Sequence, residues 1–197
     1  MGRFTGIILA GGKSSRMKTD KGLLEINEKP MVLHQIELLG EFCNEIIISS
    51  NQEPYRDFGF KVVPDEIIGI GPLGGLYTAL KASNNPTCVV LSCDVPFVSE
   101  TVLKLLVSNF TKHDAALVSQ WEDQIHPLVG IYSKDIVLEE AIKMIEEKNF
   151  KLRQLLKRIG ASYINFHDQE DVSEEAFMNI NTPDEFEKAI QILSKKE

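Results

Sequence analysis

The chain has 197 residues, 43% hydrophobic and 25% charged, proportions that suit one compact globular domain over residues 1–197 with a sizeable core. Twenty-one Lys and Arg against 29 Asp and Glu leave a net charge of −8, which argues against nucleic acid or an anionic membrane as partner. No stretch has the length and apolarity of a membrane span and no secretory pattern precedes the first motif, while Cys43, Cys88 and Cys93 are odd in number and lack metal-ligand spacing; a cytoplasmic protein with reduced thiols and no structural zinc is expected.

Phe4 to Leu9 is an apolar run of strand length. The loop after it, Leu9-Ala10-Gly11-Gly12-Lys13-Ser14-Ser15-Arg16-Met17-Lys18-Thr19-Asp20-Lys21, leaves the carboxyl end of that strand, where open α/β sheets place ligands. Gly11 and Gly12 carry no Cβ to hold a phosphate or base away from the backbone, and Lys13, Arg16, Lys18 and Lys21 supply positive charge. The loop lacks the third glycine of a dinucleotide fingerprint and the Gly-Lys-Ser/Thr of a P-loop, so its chemistry alone reads as an anion-binding loop or an ordinary turn.

Further apolar runs of strand type lie at Glu45 to Ser50, Lys61 to Val63, Cys88 to Ser92, Ala115 to Ser119, Val129 to Tyr132 and Ser162 to Phe166, with helical patterns between most of them. Helices are predicted from Met31 to Phe42, from Pro72 to Ala82 with proline in the tolerated first turn, and from Lys134 to Lys148 with Leu138, Ala141, Ile142 and Ile145 on one face. Trp121 to Tyr132 reads as a late hairpin, and Lys148 to Arg158 as a basic helical segment. Thr182-Pro183-Asp184-Glu185 is a capping box opening a last helix whose Phe186, Ala189, Ile190 and Leu193 face inward. Strands alternating with helices imply an α/β three-layer sandwich around a mostly parallel sheet.

Several polar residues fall at the ends of these strands. Asp94, closing Val89 to Pro96, reads equally as a Mg²⁺ ligand, since that ion takes one or two carboxylates and leaves the rest to phosphate and water, or as a turn cap. Asp65 and Asn51 read as turn residues on their own, although the Asn51 amide can both donate to and accept from a purine edge. His126, before Pro127, reads as a packing or hydrogen-bonding residue, with catalysis as the alternative. Asn179 and Asn181 flank Ile180 in an alternating pattern that puts both amides on one face. Lys151, Arg153, Lys157 and Arg158 form a basic cluster that reads as a solvated helix face, or else as a contact for an anionic substrate.

Leu9-Ala10-Gly11-Gly12, Ser15-Arg16-Met17 and Asp20-Lys21 resemble the signature loop of nucleotidyltransferases that activate sugars, isoprenoid precursors and pterins, and most of all that of the molybdenum cofactor guanylyltransferases. The resemblance continues in order at Gly71-Pro72-Leu73-Gly74-Gly75, Cys93-Asp94-Val95-Pro96, His126-Pro127 and Asn179-Ile180-Asn181-Thr182-Pro183. Lys18 departs from it, standing where that family usually has glycine. The resemblance implies a Rossmann-like nucleotidyltransferase fold that transfers GMP from GTP to molybdenum-molybdopterin. It implies catalytic roles for Lys21, Arg16 and Asp94, with Asp94 holding Mg²⁺. Nucleotide contacts would come from Leu9, Ala10, Gly11, Gly12, Lys21, Asn51, Asp65 and Asp94, with Ser49 or Ser50 as alternatives to Asn51. Asp65 would meet either the guanine or the metal's surroundings, and Asn179 and Asn181 would line the acceptor pocket. Molybdoenzymes or other cofactor-biosynthesis proteins would receive the product. The related cytidylyltransferases tend to carry Leu-Ala-Ala-Gly and Gly-Asp-Gln-Pro at the two sites, so the residues here favour guanine. A sugar-phosphate nucleotidyltransferase and a non-catalytic nucleotide-binding adaptor are the remaining alternatives.

Overall fold

The central apolar runs pair into one sheet because residues on both of their faces are buried, while the edge strands stay partly exposed. The computed structural model describes residues 4–11 and 20–193. Among them, β1 (Thr5–Leu9) is followed by a 3-10 turn (Lys21–Leu23), the small hairpin β2 (Glu25–Ile26) and β3 (Lys29–Pro30), and α1 (Met31–Gly40). Next come β4 (Glu45–Ser49), a 3-10 turn (Glu53–Phe58), β5 (Lys61–Val63), α2 (Pro72–Ala82), β6 (Thr87–Ser92) and α3 (Glu100–Asn109). The chain ends with β7 (Ala116–Trp121), β8 (Gln124–Ser133), α4 (Lys134–Glu146), α5 (Leu152–Arg158), β9 (Ser162–Asn165), a 3-10 turn (Glu174–Phe177) and α6 (Pro183–Leu193).

The large sheet has the order β5-β4-β1-β6-β8-β7-β9. β5, β4, β1 and β6 run parallel, β8 runs antiparallel to both neighbours, and β9 is parallel to β7. Alternate residues of the central strands serve opposite layers. Ile8, Ile48 and Leu91 pack with Val32, Ile36 and Leu39 of α1 and Val102 and Leu106 of α3. Ile7, Ile47 and Val90 pack with Leu76 and Leu80 of α2, Met144 of α4 and Leu155 of α5. This is the expected three-layer sandwich, and each fully buried Ile or Leu contributes roughly 1.5–3 kcal/mol to its stability. A third, smaller cluster joins Ile26, Met31, Ile180 and Ala189, and so seats α6 on the β2–β3 hairpin.

Three differences from the sequence reading have local causes. The β2–β3 hairpin turns on Asn27 (φ 53°) and Glu28 (φ 57°), a left-handed pair in which glutamate stands where glycine is usual, so the turn carries little signature. Helix α3 was not anticipated, although Ser99 caps it by accepting from the Val102 N–H (3.4 Å) and Val102, Leu103 and Leu106 are buried. Ile142 and Ile190 are exposed: α4 turns Val137, Ala141 and Met144 to the core, and the small third cluster covers only Ala189 and part of Phe186 on α6. The capping box forms as expected, with the Glu185 carboxylate accepting from the N–H groups of Asn181 (2.6 Å) and Thr182 (2.9 Å) and the Thr182 hydroxyl accepting from the Glu185 N–H (3.3 Å).

Candidate active site

Chain order reverses between β1 and β6, because β4 and β5 lie to one side of β1 and β6 to the other. A cleft of about 630 Å³ opens at that switch point, over the carboxyl ends of the parallel strands. Leu9 and Gly11 reach it from β1, Ser49 and Asn51 from β4, Asp65 from β5, and Ser92 and Asp94 from β6. Hydrogen bonds continue the ladder past the strand ends: the Ala10 N–H donates to the Ser49 carbonyl (2.9 Å) and the Cys93 N–H to the Leu9 carbonyl (3.1 Å). Ala10 is therefore held in the core with its N–H already committed. Gly12 and Arg16, with Lys13 and Lys18, lie outside the described residues.

The glycine-rich segment closes the far wall. Gly71 adopts φ 69° and ψ −156° at the start of α2, a conformation for which glycine is suited. A Cβ on Gly75 would stand 2.8 Å from Ser49 Oγ, and one on Gly74 would stand 2.9 Å from both the Ile67 carbonyl oxygen and Ile70 Cγ1. The helix can sit against the cleft only because both side chains are absent. Gly74→Ala must push the Ile67 backbone aside, and is expected to cost about 1–3 kcal/mol, read as a lower Tm together with weaker nucleotide binding.

Asn51 and Asp65 support one another at the cleft edge. The Asn51 Oδ1 accepts from the Asp65 N–H (3.0 Å), and Ser49 Oγ donates to Asp65 Oδ1 (3.3 Å). The Asn51 carbonyl thus clips two strand ends together, which a turn asparagine would also do.

Asp94 has a different environment. Its Oδ1 is buried and, among the described residues, has no hydrogen-bond partner. A polar oxygen withdrawn from water without a donor is unfavourable, and a bound cation would give it a partner. The donor set fits Mg²⁺: no group of three His, Cys, Asp or Glu gathers among the described residues, so one carboxylate would leave the remaining positions to phosphate oxygens and water. Cys93, next to it and buried, is held well above the usual thiol range by burial and then by the charges of Asp94 and Asp20.

Lys21 is not among the residues that line this cleft. Asp20 caps its 3-10 turn, accepting from the Gly22 N–H (3.1 Å), and the buried Tyr55 hydroxyl donates to the same carboxylate oxygen. Gly22 is packed so closely that a Cβ there would lie 2.3 Å from the Tyr55 hydroxyl. Lys21 Nζ donates to Asn181 Oδ1 (2.5 Å), and the Ile180 N–H donates to the Asp94 carbonyl (2.8 Å). Two consecutive residues from the far end of the chain therefore join the anticipated cation to the anticipated metal ligand. Tyr55 was missed in the sequence because nothing local marks a hydroxyl that caps a turn 35 residues away.

A second cavity, about 280 Å³, lies beside the first and is lined by Trp121, His126, Phe177, Asn179 and Asn181 among others. Residues 178–181 form an irregular segment instead of a strand, yet both amides still open onto one cavity while Ile180 is fully buried. His126 is buried and stacks on Phe177 at 4.9 Å between ring centroids. Burial, and then the charge of Arg153, hold its pKa below the ordinary 6.5. The unfolded chain thus takes up this proton at higher pH than the folded one, so stability is full above about 6.5 and falls as pH drops through the folded-state pKa. His126→Gln should flatten the slope of unfolding free energy against pH between 7.5 and 5.5. In the basic cluster, Arg158 pairs with Glu147 (2.6 Å) and Glu140 (3.3 Å), while Lys151, Arg153 and Lys157 are exposed.

A cleft at the switch point of a mostly parallel sheet, with glycine backbone and the half-buried Asp94 in its lining, suits a nucleotidyltransferase. The family model described as "MobA-like NTP transferase domain" matches residues 6–163. The probable molybdenum cofactor guanylyltransferase of Flavobacterium johnsoniae is 35% identical, covering 94% of this chain and 95% of its own. That of Carboxydothermus hydrogenoformans is 33% identical with both chains covered completely. The crystal structure of molybdopterin-guanine dinucleotide biosynthesis protein A from Archaeoglobus fulgidus has the same fold, with a TM-score of 0.82 at 24% identity over 98% of this chain and all of that one. The chain belongs to the MobA-like NTP transferase family.

Proposed function

We propose that the protein transfers GMP from GTP to the terminal phosphate of molybdenum-molybdopterin, giving the guanine dinucleotide cofactor and pyrophosphate. A phosphate oxygen of the acceptor attacks the α-phosphorus in line, and the bond to the β-phosphate oxygen breaks. The attacking phosphate is already anionic, so no side-chain base is needed; positioning and charge stabilisation carry the step. Gly11 admits the nucleotide to the cleft, Lys21 offsets charge on the reacting phosphates, and Asp94 would hold Mg²⁺. Bound there, Mg²⁺ would supply electrostatic stabilisation of the phosphate oxygens. Arg16 and Gly12 would complete the phosphate contacts from the signature loop.

The observation that supports this reading is that one short segment holds both groups: Asn181 accepts from Lys21 Nζ and lines the second cavity, while the Ile180 N–H bonds the main-chain carbonyl of Asp94, whose side chain lines the cleft of about 630 Å³. The relatives named as guanylyltransferases support guanine over cytidine and over a sugar-phosphate acceptor. Among the described residues no helix is long and apolar enough to cross a membrane. A cytoplasmic setting, where GTP is available, and hand-over to molybdoenzymes or other cofactor-biosynthesis proteins belong to the same proposal.

The test is to incubate the protein with molybdopterin, molybdate, Mg²⁺ and each of the four nucleoside triphosphates, and to identify the dinucleotide by mass. A product formed preferentially with CTP overturns the guanine assignment. Nucleotide binding with no pyrophosphate release in the presence of acceptor overturns the transferase reading.

A further inference from the structure

The strand β8 does two things at once because its pairing with β7 slips. Val118 is registered with Gly130 but the next residue, Ser119, with His126, so Pro127, Leu128 and Val129 have no counterpart on β7. Such bulges re-aim side chains beside functional sites. Here Leu128 is turned into the nucleotide cleft, while His126, two residues earlier, lines the second cavity. The Tyr132 hydroxyl donates to the Pro127 carbonyl and holds the bulge from within.

The register also pairs two polar side chains that have nothing to bond. Ser119 Oγ and His126 Nε2 are both buried and both without a hydrogen-bond partner among the described residues. As opposite residues of an antiparallel pair they project from the same face of the sheet. Ser119 is completely buried and His126 is 8% exposed, so bulk water does not serve them. Of the two, His126 lines the cavity and Ser119 does not, so His126 is the unpartnered group that a ligand's polar edge can meet.

The rest of the wall narrows the ligand class. Trp121 is half-buried and gives the cavity aromatic surface, and the buried, stacked His126–Phe177 pair lies in the same wall with little ring surface open. Around it stand carboxylates and side-chain amides, with Glu174, Glu185 and Asn179 against a single lysine, Lys188. This lining repels a phosphate and accepts from N–H groups, which suits a flat uncharged heterocycle rich in donors. At the other end, Asn181 lines the cavity and its Oδ1 accepts from Lys21 Nζ.

We propose that His126 is a specificity-determining residue for the acceptor, hydrogen-bonding the ring edge of an amino-oxo-pyrimidine-type heterocycle against Trp121 and Phe177. The acceptor is thereby oriented with its ring in the second cavity and its phosphate at Asn181 and Lys21, facing the nucleotide. This deepens the guanylyl-transfer reading and rests on it for the identity of the acceptor. The binding of the ring itself is testable without turnover.

Trp121 is the only tryptophan in the chain, so its fluorescence reports on this cavity. Titration with a bare pterin, 2-amino-4-oxopteridine, checked by calorimetry, is expected to give saturable quenching in the wild-type protein, with affinity at least tenfold weaker in His126→Gln. Glu174→Ala, at an exposed position on the cavity rim, is expected to weaken pterin binding severalfold, and tests the wall without disturbing buried packing. In turnover, His126→Gln should raise the KM for the acceptor about tenfold and leave the KM for GTP unchanged, a split that general loosening of the fold would not produce. Absence of saturable quenching, equal pterin affinity in the wild type and His126→Gln, or a parallel rise in both KM values overturns the proposal. If pterin binds as expected but no GMP is transferred to molybdopterin, the functional reading fails and the ring site stands.

Discussion

Asp94→Ala will lower kcat/KM for GMP transfer by about three orders of magnitude, ~4 kcal/mol of transition-state stabilisation, and will not lower the melting temperature. The two halves of this expectation have one cause. Asp94 Oδ1 is buried and has no hydrogen-bond partner among the described residues, so it is a polar atom that the fold leaves unpaired. Removing it takes away a destabilising group as well as the proposed metal ligand, and Tm should hold or rise. The contact to the acceptor segment is made by the Asp94 main-chain carbonyl, which alanine retains. A carboxylate serving only as a turn cap would behave in the opposite way, with lower Tm and surviving turnover. Pyrophosphate release at saturating Mg²⁺, measured beside thermal unfolding, separates the cases; substantial activity in Asp94→Ala removes Asp94 from the metal role.

The same contrast between local and distant contacts explains what could be read from the chain. Strands β1, β4, β5 and β6 were legible because they are short apolar runs, and α2 because Pro72 and the residue after Ala82 bracket its pattern. Their order in the sheet put Leu9, Asn51, Asp65 and Asp94 around one cleft, as the strand-end reading required. A hairpin is expected within Trp121 to Tyr132, but that span holds only the turn and most of one arm: β8 pairs with β7, the run expected as a separate strand, and carries a slip that no periodicity announces. The inward faces of α4 and α6 were misread at Ile142 and Ile190 because a helical period identifies an apolar arc without saying how much of it a partner covers. Least legible were the bonds that assemble the site, Tyr55 to Asp20 and Lys21 to Asn181, the second spanning 160 residues. The resemblance in the motifs named Lys21 and Asn181 separately; only the packing of α6 on the β2–β3 hairpin explains why they meet.

That meeting sets the second large expectation. Lys21→Met should reduce kcat by about 10²–10³, the loss expected when a preorganised charge facing a developing anion is removed. Arginine should not restore it, because Gly22 and the Asp20 carboxylate are locked against Tyr55, and a planar fork needs a different approach from a point charge. Lys21 also holds Asn181 in the free protein, so part of the loss could come through a displaced amide at the acceptor cavity. A double-mutant cycle resolves the two contributions. If Lys21 acts on phosphate directly, Asn181→Ala should raise the acceptor KM while leaving most of kcat, and the double variant should lose close to the sum of the separate effects. If Lys21 serves chiefly to hold Asn181, the double variant will be no worse than Lys21→Met alone. Strict non-additivity of that kind, with near-normal GTP affinity in Lys21→Met, would transfer the lysine from the chemistry to the architecture of the acceptor site.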